Sequence, residues 1–217
     1  MSKNTKMLKC FYRVMKNDKK EIQKIIPDMY VESFYKVDEN YLLKQKIDNL
    51  ILDIDGTLLR VDDINVPEIL KEKIKKLKEK NIKICLVSNN NADRVVPVAK
   101  ALNLTENYLY NANKPLPVAF DKALEILETP NKENTAMVGD QMMSDIKGAN
   151  EYGLYSVLVR PVDNHNNIKT GVSRFLQNIM EDHLKKINVF DKEKYYKRRI
   201  KKWPHIMKQK KKKSLKM

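Results

Sequence analysis

Two carboxylates stand one residue apart in Asp53-Ile54-Asp55-Gly56-Thr57, so both can leave a strand in the same direction as it turns into a loop. Acids this close repel unless a cation or proton intervenes, and Mg2+, a hard ion that favours oxygen ligands, suits the pair. Gly56 allows a tight turn beside a bound anion. Taken alone, the segment also fits a plain Asp-Gly turn. Further along, Ser88 precedes three asparagines; its hydroxyl and the N–H groups of a following helix start could hold a phosphoryl oxygen, or Ser88 and Asn89 could simply cap that helix. Lys114 stands before Pro115 and offers a compact positive charge at a helix entrance. Gly139-Asp140-Gln141-Met142-Met143-Ser144-Asp145 adds two acids. Asp140 could complete a metal site, and Asp145 could hold a metal-bound water or orient Lys114, although Ser144 or Asp145 would also serve as a helix cap. The combination discriminates far better than any single piece.

The elements that must position these groups are legible as apolar runs. Residues 49–52, 82–87, 135–138 and 155–159 read as short buried parallel strands, and polar residues stand where each one stops. Between them, Ile69, Leu70, Ile74 and Leu77 after Pro67 make one helical stripe, and Leu116, Phe120, Ala123, Leu124 and Leu127 after Pro115 make another. Alternating strands and helices predict an α/β fold with an open, doubly wound, mainly parallel sheet. Ligands in such sheets bind beyond the carboxyl ends of the strands, where the polar clusters fall. After Pro161, Val172, Phe175, Leu176, Ile179, Met180, Leu184 and Ile187 predict a further amphipathic helix.

Composition bounds the class. With 217 residues, 42% of them apolar, the chain can build one ordinary core plus extensions. Cys10 and Cys85 lack any spacing for a disulfide framework or thiolate metal site, which fits a reducing cytoplasm. No run approaches a membrane span, and residues 1–20 lack the apolar stretch of a signal peptide. The net charge of +15 is uneven. Residues 1–24 hold 8 basic and 2 acidic residues, and 192–217 hold 13 and 1, which leaves about −3 for the middle. The expected organisation is a basic extension over 1–24, a catalytic domain over 25–190 and a basic, mobile tail over 191–217 with a lysine run at 210–213.

These motifs resemble the four signatures of the haloacid dehalogenase (HAD) superfamily, carried by Asp53 to Leu58, Ser88-Asn89, Lys114-Pro115 and Gly139-Asp140 to Asp145. More narrowly, Ile26-Pro27-Asp28-Met29-Tyr30-Val31, Val87-Ser88-Asn89-Asn90, Asn113-Lys114-Pro115 and Gly139-Asp140-Gln141 resemble the YqeG family of subclass IIIA phosphatases over about residues 25–187. That family more often has Asn where this chain has Gly56. The resemblance implies a HAD-like Rossmannoid domain and a Mg2+-dependent phosphatase. Asp53 would attack phosphorus to form an aspartyl-phosphate, and Asp55 would act as acid and then base. Ser88, the Asn89 backbone and Lys114 would bind the phosphoryl oxygens. Mg2+ would be held by the Asp53 and Asp140 carboxylates and the Asp55 carbonyl, with Asp145 behind them.

About 30 residues separate Thr57 from Ser88 and about 25 separate Asn89 from Lys114, too few for a cap domain. An open pocket favours a bulky substrate or one presented at a surface. The YqeG family is similar to the mitochondrial phosphatase that acts on phosphatidylglycerophosphate, so the expected substrate is that lipid, in phosphatidylglycerol biosynthesis. The basic ends, with Phe11, Tyr12, Tyr195, Tyr196 and Trp203 among their charges, would then contact the acidic inner face of a membrane. Compositional bias toward lysine alone would also produce such ends. The alternatives are a phosphatase of a soluble or nucleic-acid phosphomonoester, and an RNA- or ribosome-associated binding module built on a HAD scaffold.

Overall fold

The structure is a computed structural model that describes residues 3–61, 63, 65–129, 131–162 and 168–192. The expected mobile tail beyond Lys192, including Tyr195, Tyr196, Trp203 and the lysine run, lies outside the described residues.

Six strands form one sheet: β1 (Met29–Val31), β2 (Asn49–Leu52), β3 (Lys83–Val87), β4 (Tyr108–Leu109), β5 (Thr135–Gly139) and β6 (Tyr155–Val159). Their order is β1-β6-β5-β2-β3-β4, and every pairing is parallel. From β2 the chain winds through β3 to β4 on one side, then crosses to β5 and β6 on the other. The order therefore reverses between β2 and β5, which opens a crevice at their carboxyl ends. The doubly wound parallel sheet expected from the apolar runs is present, and the described residues between β2 and β4 contain no cap domain.

Alternation along each strand sorts the core onto two faces. Leu50, Leu52, Ile84, Leu86, Ala136 and Val138 meet Leu70, Ile74 and Leu77 of α4 (Glu68–Glu79) and Val95, Val98 and Ala99 of α5 (Ala92–Ala101). We number the earlier helices α1 (Lys3–Met15), α2 (Lys19–Ile25) and α3 (Glu39–Lys44). On the opposite face, Ile51, Cys85, Val87 and Met137 pack on Ala119, Phe120 and Ala123 of α6 (Pro117–Ile126). Pro115 does not start α6. The Lys114–Pro115 bond is cis, the chain turns there, and the helix begins at Pro117, in its first turn.

The remainder of that second face is covered by helices from both ends of the chain. Cys10 and Val14 of α1, Ile22 and Ile25 of α2, and Met180 and Leu184 of α8 (Ile168–Lys186) form one cluster with Tyr30 and Leu158 of the sheet. The basic residues 3–25 are thus two packed helices that share a core with the domain. Asp18 caps α2, accepting hydrogen bonds from the N–H groups of Lys20 and Glu21. The predicted stripe of α8 is buried at Met180 and Leu184, whereas Val172 and Phe175 remain exposed, because the cluster ends before the helix does. No helix among the described residues is long and apolar enough to cross a membrane.

Candidate active site

Asp53 follows β2 directly, and its N–H donates to Val138 O of β5 at 3.0 Å, which fixes it at the crevice. Its carboxylate is buried and held from two sides. Lys114 Nζ lies 2.6 Å from Oδ1, and the Thr57 hydroxyl lies 3.2 Å from Oδ2 and 3.3 Å from Asp140 Oδ1. One oxygen from each of Asp53, Asp140 and Asp145 falls within a 4.8 Å group. Three carboxylates from two strand ends therefore converge in a buried place.

Lys114 is 1% exposed and pairs with Asp145 Oδ1 at 2.9 Å as well as with Asp53. Burial by itself would lower the lysine's pKa, but the charges of Asp145 and Asp53 outweigh it and hold the ammonium protonated. The backbone around Lys114 is clasped by the Asn89 side chain, whose Oδ1 accepts from Lys114 N at 2.7 Å and whose Nδ2 donates to Lys114 O at 3.1 Å. Ser88 is buried beside it, its Oγ accepting from Asn90 N at 3.0 Å.

Past β5, residues 142–146 form a single wide helical turn leading into α7 (Lys147–Tyr152). Asp145 folds back so that its Oδ2 accepts from Gln141 N at 3.1 Å. A side chain at Gly139 would place its Cβ 2.4 Å from Asp145 Cβ, so that glycine is what lets Asp145 reach Lys114. Gly56, at φ +88°, is constrained in the same way, because a Cβ there would lie 2.6 Å from Asp140 Oδ2.

Three residues that spacing did not single out complete the site. Arg174 of α8 pairs with Asp140, Nη1 to Oδ2 at 2.7 Å. Gln177, one turn on, donates to Asp140 O at 3.0 Å and accepts from Met142 N at 2.9 Å. Arg94 of α5 pairs with Asp55 through Nε at 2.8 Å, donates to Arg60 O at 2.8 Å and reaches Asp63 O. The Asp55 carboxylate therefore faces Arg94, with Asn90 Nδ2 at 3.3 Å, and lies outside the three-carboxylate group. With 43 lysines and arginines in the chain, nothing in the sequence marks these two arginines.

The charge balance of the group bears on what it can hold. Burial, opposed by Lys114 and reinforced by Asp145 and Asp140, raises Asp53 to about 8. Burial likewise raises Asp140 to about 6, against the pull of Arg174. Two cationic side chains thus do not satisfy three buried acids, and an all-oxygen donor set of this kind fits a hard divalent cation.

The group opens into a cleft of about 1010 Å³. Ser88, Asn90 and Lys114 line it, together with Met7, Leu8 and Arg13 of α1.

A haloacid dehalogenase-like hydrolase family profile matches residues 60–153. The chain is 32% identical over 149 residues to the probable phosphatase YqeG of Bacillus subtilis, covering 69% of this chain and 85% of that protein. Among solved structures it is similar to a 4-nitrophenylphosphatase from Thermotoga maritima, with 16% identity, coverage of 56% and 88%, and a TM-score of 0.47. It is also similar to the cobalt-bound deoxy-D-mannose-octulosonate 8-phosphate phosphatase of Haemophilus influenzae, with 16% identity, coverage of 70% and 97%, and a TM-score of 0.41. The chain belongs to the YqeG-type family of haloacid dehalogenase-like phosphatases.

Proposed function

We propose that this phosphatase is a Mg2+-dependent hydrolase of subclass IIIA that works through an aspartyl-phosphate on Asp53 and acts on phosphatidylglycerophosphate. The observation that carries the chemistry is Asp53 itself, buried at the sheet's reversal point with Lys114 on one oxygen and Thr57 on the other. The ion would be held by the Asp53 and Asp140 carboxylates and the Asp55 carbonyl, and when bound it would supply charge neutralisation between the nucleophile and the phosphate.

The remaining roles belong to side chains. Asp53 attacks phosphorus in line with the leaving oxygen, which splits hydrolysis into two displacements. Asp55, taking up a proton from water as it parts from Arg94, passes that proton to the leaving oxygen and, as carboxylate, then takes one from the attacking water. Ser88, the Asn89 N–H and Lys114 stabilise charge on the equatorial oxygens, Asn89 also fixing Lys114 by its side-chain clasp. Asp145 keeps the ammonium of Lys114 aimed and charged.

The lipid assignment is supported by the uncapped cleft and the basic ends of the chain. It places the enzyme in phosphatidylglycerol biosynthesis, in the cytoplasm and peripheral on the inner membrane face. Residues 25–190 would be the catalytic unit, with 1–24 adding a wall to its cleft and 191–217 a basic tail. The test is phosphate release from phosphatidylglycerophosphate in mixed micelles, set against soluble phosphomonoesters. Preference for the lipid is expected. Activity no better than on the soluble esters removes the lipid while leaving the hydrolase.

A further inference from the structure

Large apolar side chains exposed beside the cleft are concentrated on two helices. Leu8 and Tyr12 of α1 are 54% and 62% exposed, and Val172 and Phe175 of α8 are 66% and 64% exposed. Leu8 and Tyr12 are four residues apart and Val172 and Phe175 three, so each pair occupies one helix face. The two helices pack against each other, and Leu8 and Val172 both line the cleft that leads to Asp53. Leu8 and Val172 therefore stand at the mouth of the cleft, Tyr12 and Phe175 continue the same two helix faces, and none of the four enters the core.

The cations on these faces are lysines of α1 and the turn after it. By sequence residues 3–15 contain four basic residues and no acid; Arg13 is engaged by Asp18 and Glu21, and Arg174 of α8 by Asp140. Lys9 is exposed next to Leu8, and Lys16 Nζ lies 5.8 Å from the centre of the Tyr12 ring. Apolar side chains at helical spacing, bordered by cations, match the requirements of an anionic lipid surface: hydrocarbon for the apolar tips and negative headgroups for the lysines. A second copy of the chain fits less well, because it would bring two cationic faces together. The same objection applies to the chain's own residues 192–217, with 13 basic residues and 1 acidic one.

We propose that the exposed faces of α1 and α8, centred on Leu8, Tyr12, Val172 and Phe175, dock the mouth of the cleft onto an anionic lipid surface. The proposal rests on the reading of the cleft as a lipid-directed phosphatase site, and deepens it by assigning the docking to these two helices in addition to the basic ends. A phosphoester displayed in the headgroup layer would then face Asp53 without leaving the surface.

The experiment is co-sedimentation of the full chain with vesicles of phosphatidylcholine alone and of two parts phosphatidylcholine to one part phosphatidylglycerol. It uses the wild type, the double variant Tyr12→Ser/Phe175→Ser and Asp53→Asn, with p-nitrophenyl phosphate turnover measured alongside. The wild type is expected to bind the mixed vesicles at least about tenfold more tightly than the neutral ones. The double variant should lose about tenfold of that binding while its soluble turnover stays unchanged, and Asp53→Asn should bind as the wild type does without turnover. The proposal is overturned if the double variant binds as well as the wild type, or if both vesicles bind alike. It is equally overturned by a dimer that the double variant breaks apart, or by salt-dependent RNA binding without vesicle binding. If the wild type turns over neither p-nitrophenyl phosphate nor phosphatidylglycerophosphate yet shows the expected vesicle pattern, the reading as a lipid phosphatase fails and the docking surface stands.

Discussion

Asp140 belongs to the three-carboxylate group and also pairs with Arg174 through Oδ2, so a divalent cation arriving there meets a guanidinium already in place. An attraction between Asp140 and Arg174 must weaken whatever the same carboxylate gives to an ion, because the ion's charge and the guanidinium's repel across it. Arg174→Gln is therefore expected to tighten Mg2+ binding, by between about fivefold and 150-fold, as read by isothermal titration calorimetry. Unchanged or weaker binding would show that Arg174 aims Asp140 and does not compete for it. Lys114 differs, because it answers two acids at once and is itself buried. Its role was within reach of the sequence, since it stands in a motif; that of Arg174 was not, since it becomes a partner only when α8 folds back over the loop after β5.

The turn between β5 and α7 leaves no room for a side chain at Gly139. Gly139 and Asp145 are six positions apart, and the wide turn at 142–146 brings the Asp145 side chain within 2.4 Å of where a Gly139 Cβ would stand. Gly139→Ala is expected to cost about 1–3 kcal/mol of stability by overpacking, measured by denaturant unfolding. It should also abolish turnover, because Asp145 can yield only by releasing Lys114. Retained activity in a destabilised protein would place Asp145 outside the working site. At this scale the sequence was readable wherever an apolar run ended in polar residues: β2, β3, β5 and β6 and the groups that follow them. It was unreadable at β1 and β4, of three and two residues, which are too short to carry a periodicity and exist as strands because the neighbouring strands pair with them. The start of α6 was misplaced for a related reason, since Pro115 and Pro117 both suit a helix entrance and only the turn at Lys114 decides between them.

At the scale of the whole molecule, helices from the two ends of the chain close one face of the sheet and one wall of the cleft. The N-terminal pair of helices is tied to α7 by Glu21, 3% exposed, which pairs with Lys147 at 3.0 Å and with Arg13 and Lys24 at longer range. Burial alone would raise its pKa, but the hydrogen bond and charge of Lys147 outweigh it and hold the carboxyl below its ordinary 4.5. A carboxyl depressed in the folded state stabilises fully above its unfolded value, and that contribution disappears as pH falls through the folded value. Thermal unfolding should therefore shift downward on acidification below about 4.5, and Glu21→Gln should flatten that shift relative to the wild type; an equal slope in both would mean that α1 and α2 are held by their apolar contacts alone. That residues 3–25 pack as part of the molecule was hidden in their composition, because eight basic residues mask the few apolar positions that enter the core. Whether Asp53 is the nucleophile is decided by acid-quenched single turnover on a phosphomonoester with Mg2+, followed by peptide mapping. A phosphoryl group on the peptide containing Asp53, absent from Asp53→Asn along with turnover, is the expected result; turnover by that variant, or a phosphoryl group found on another residue, would contradict it.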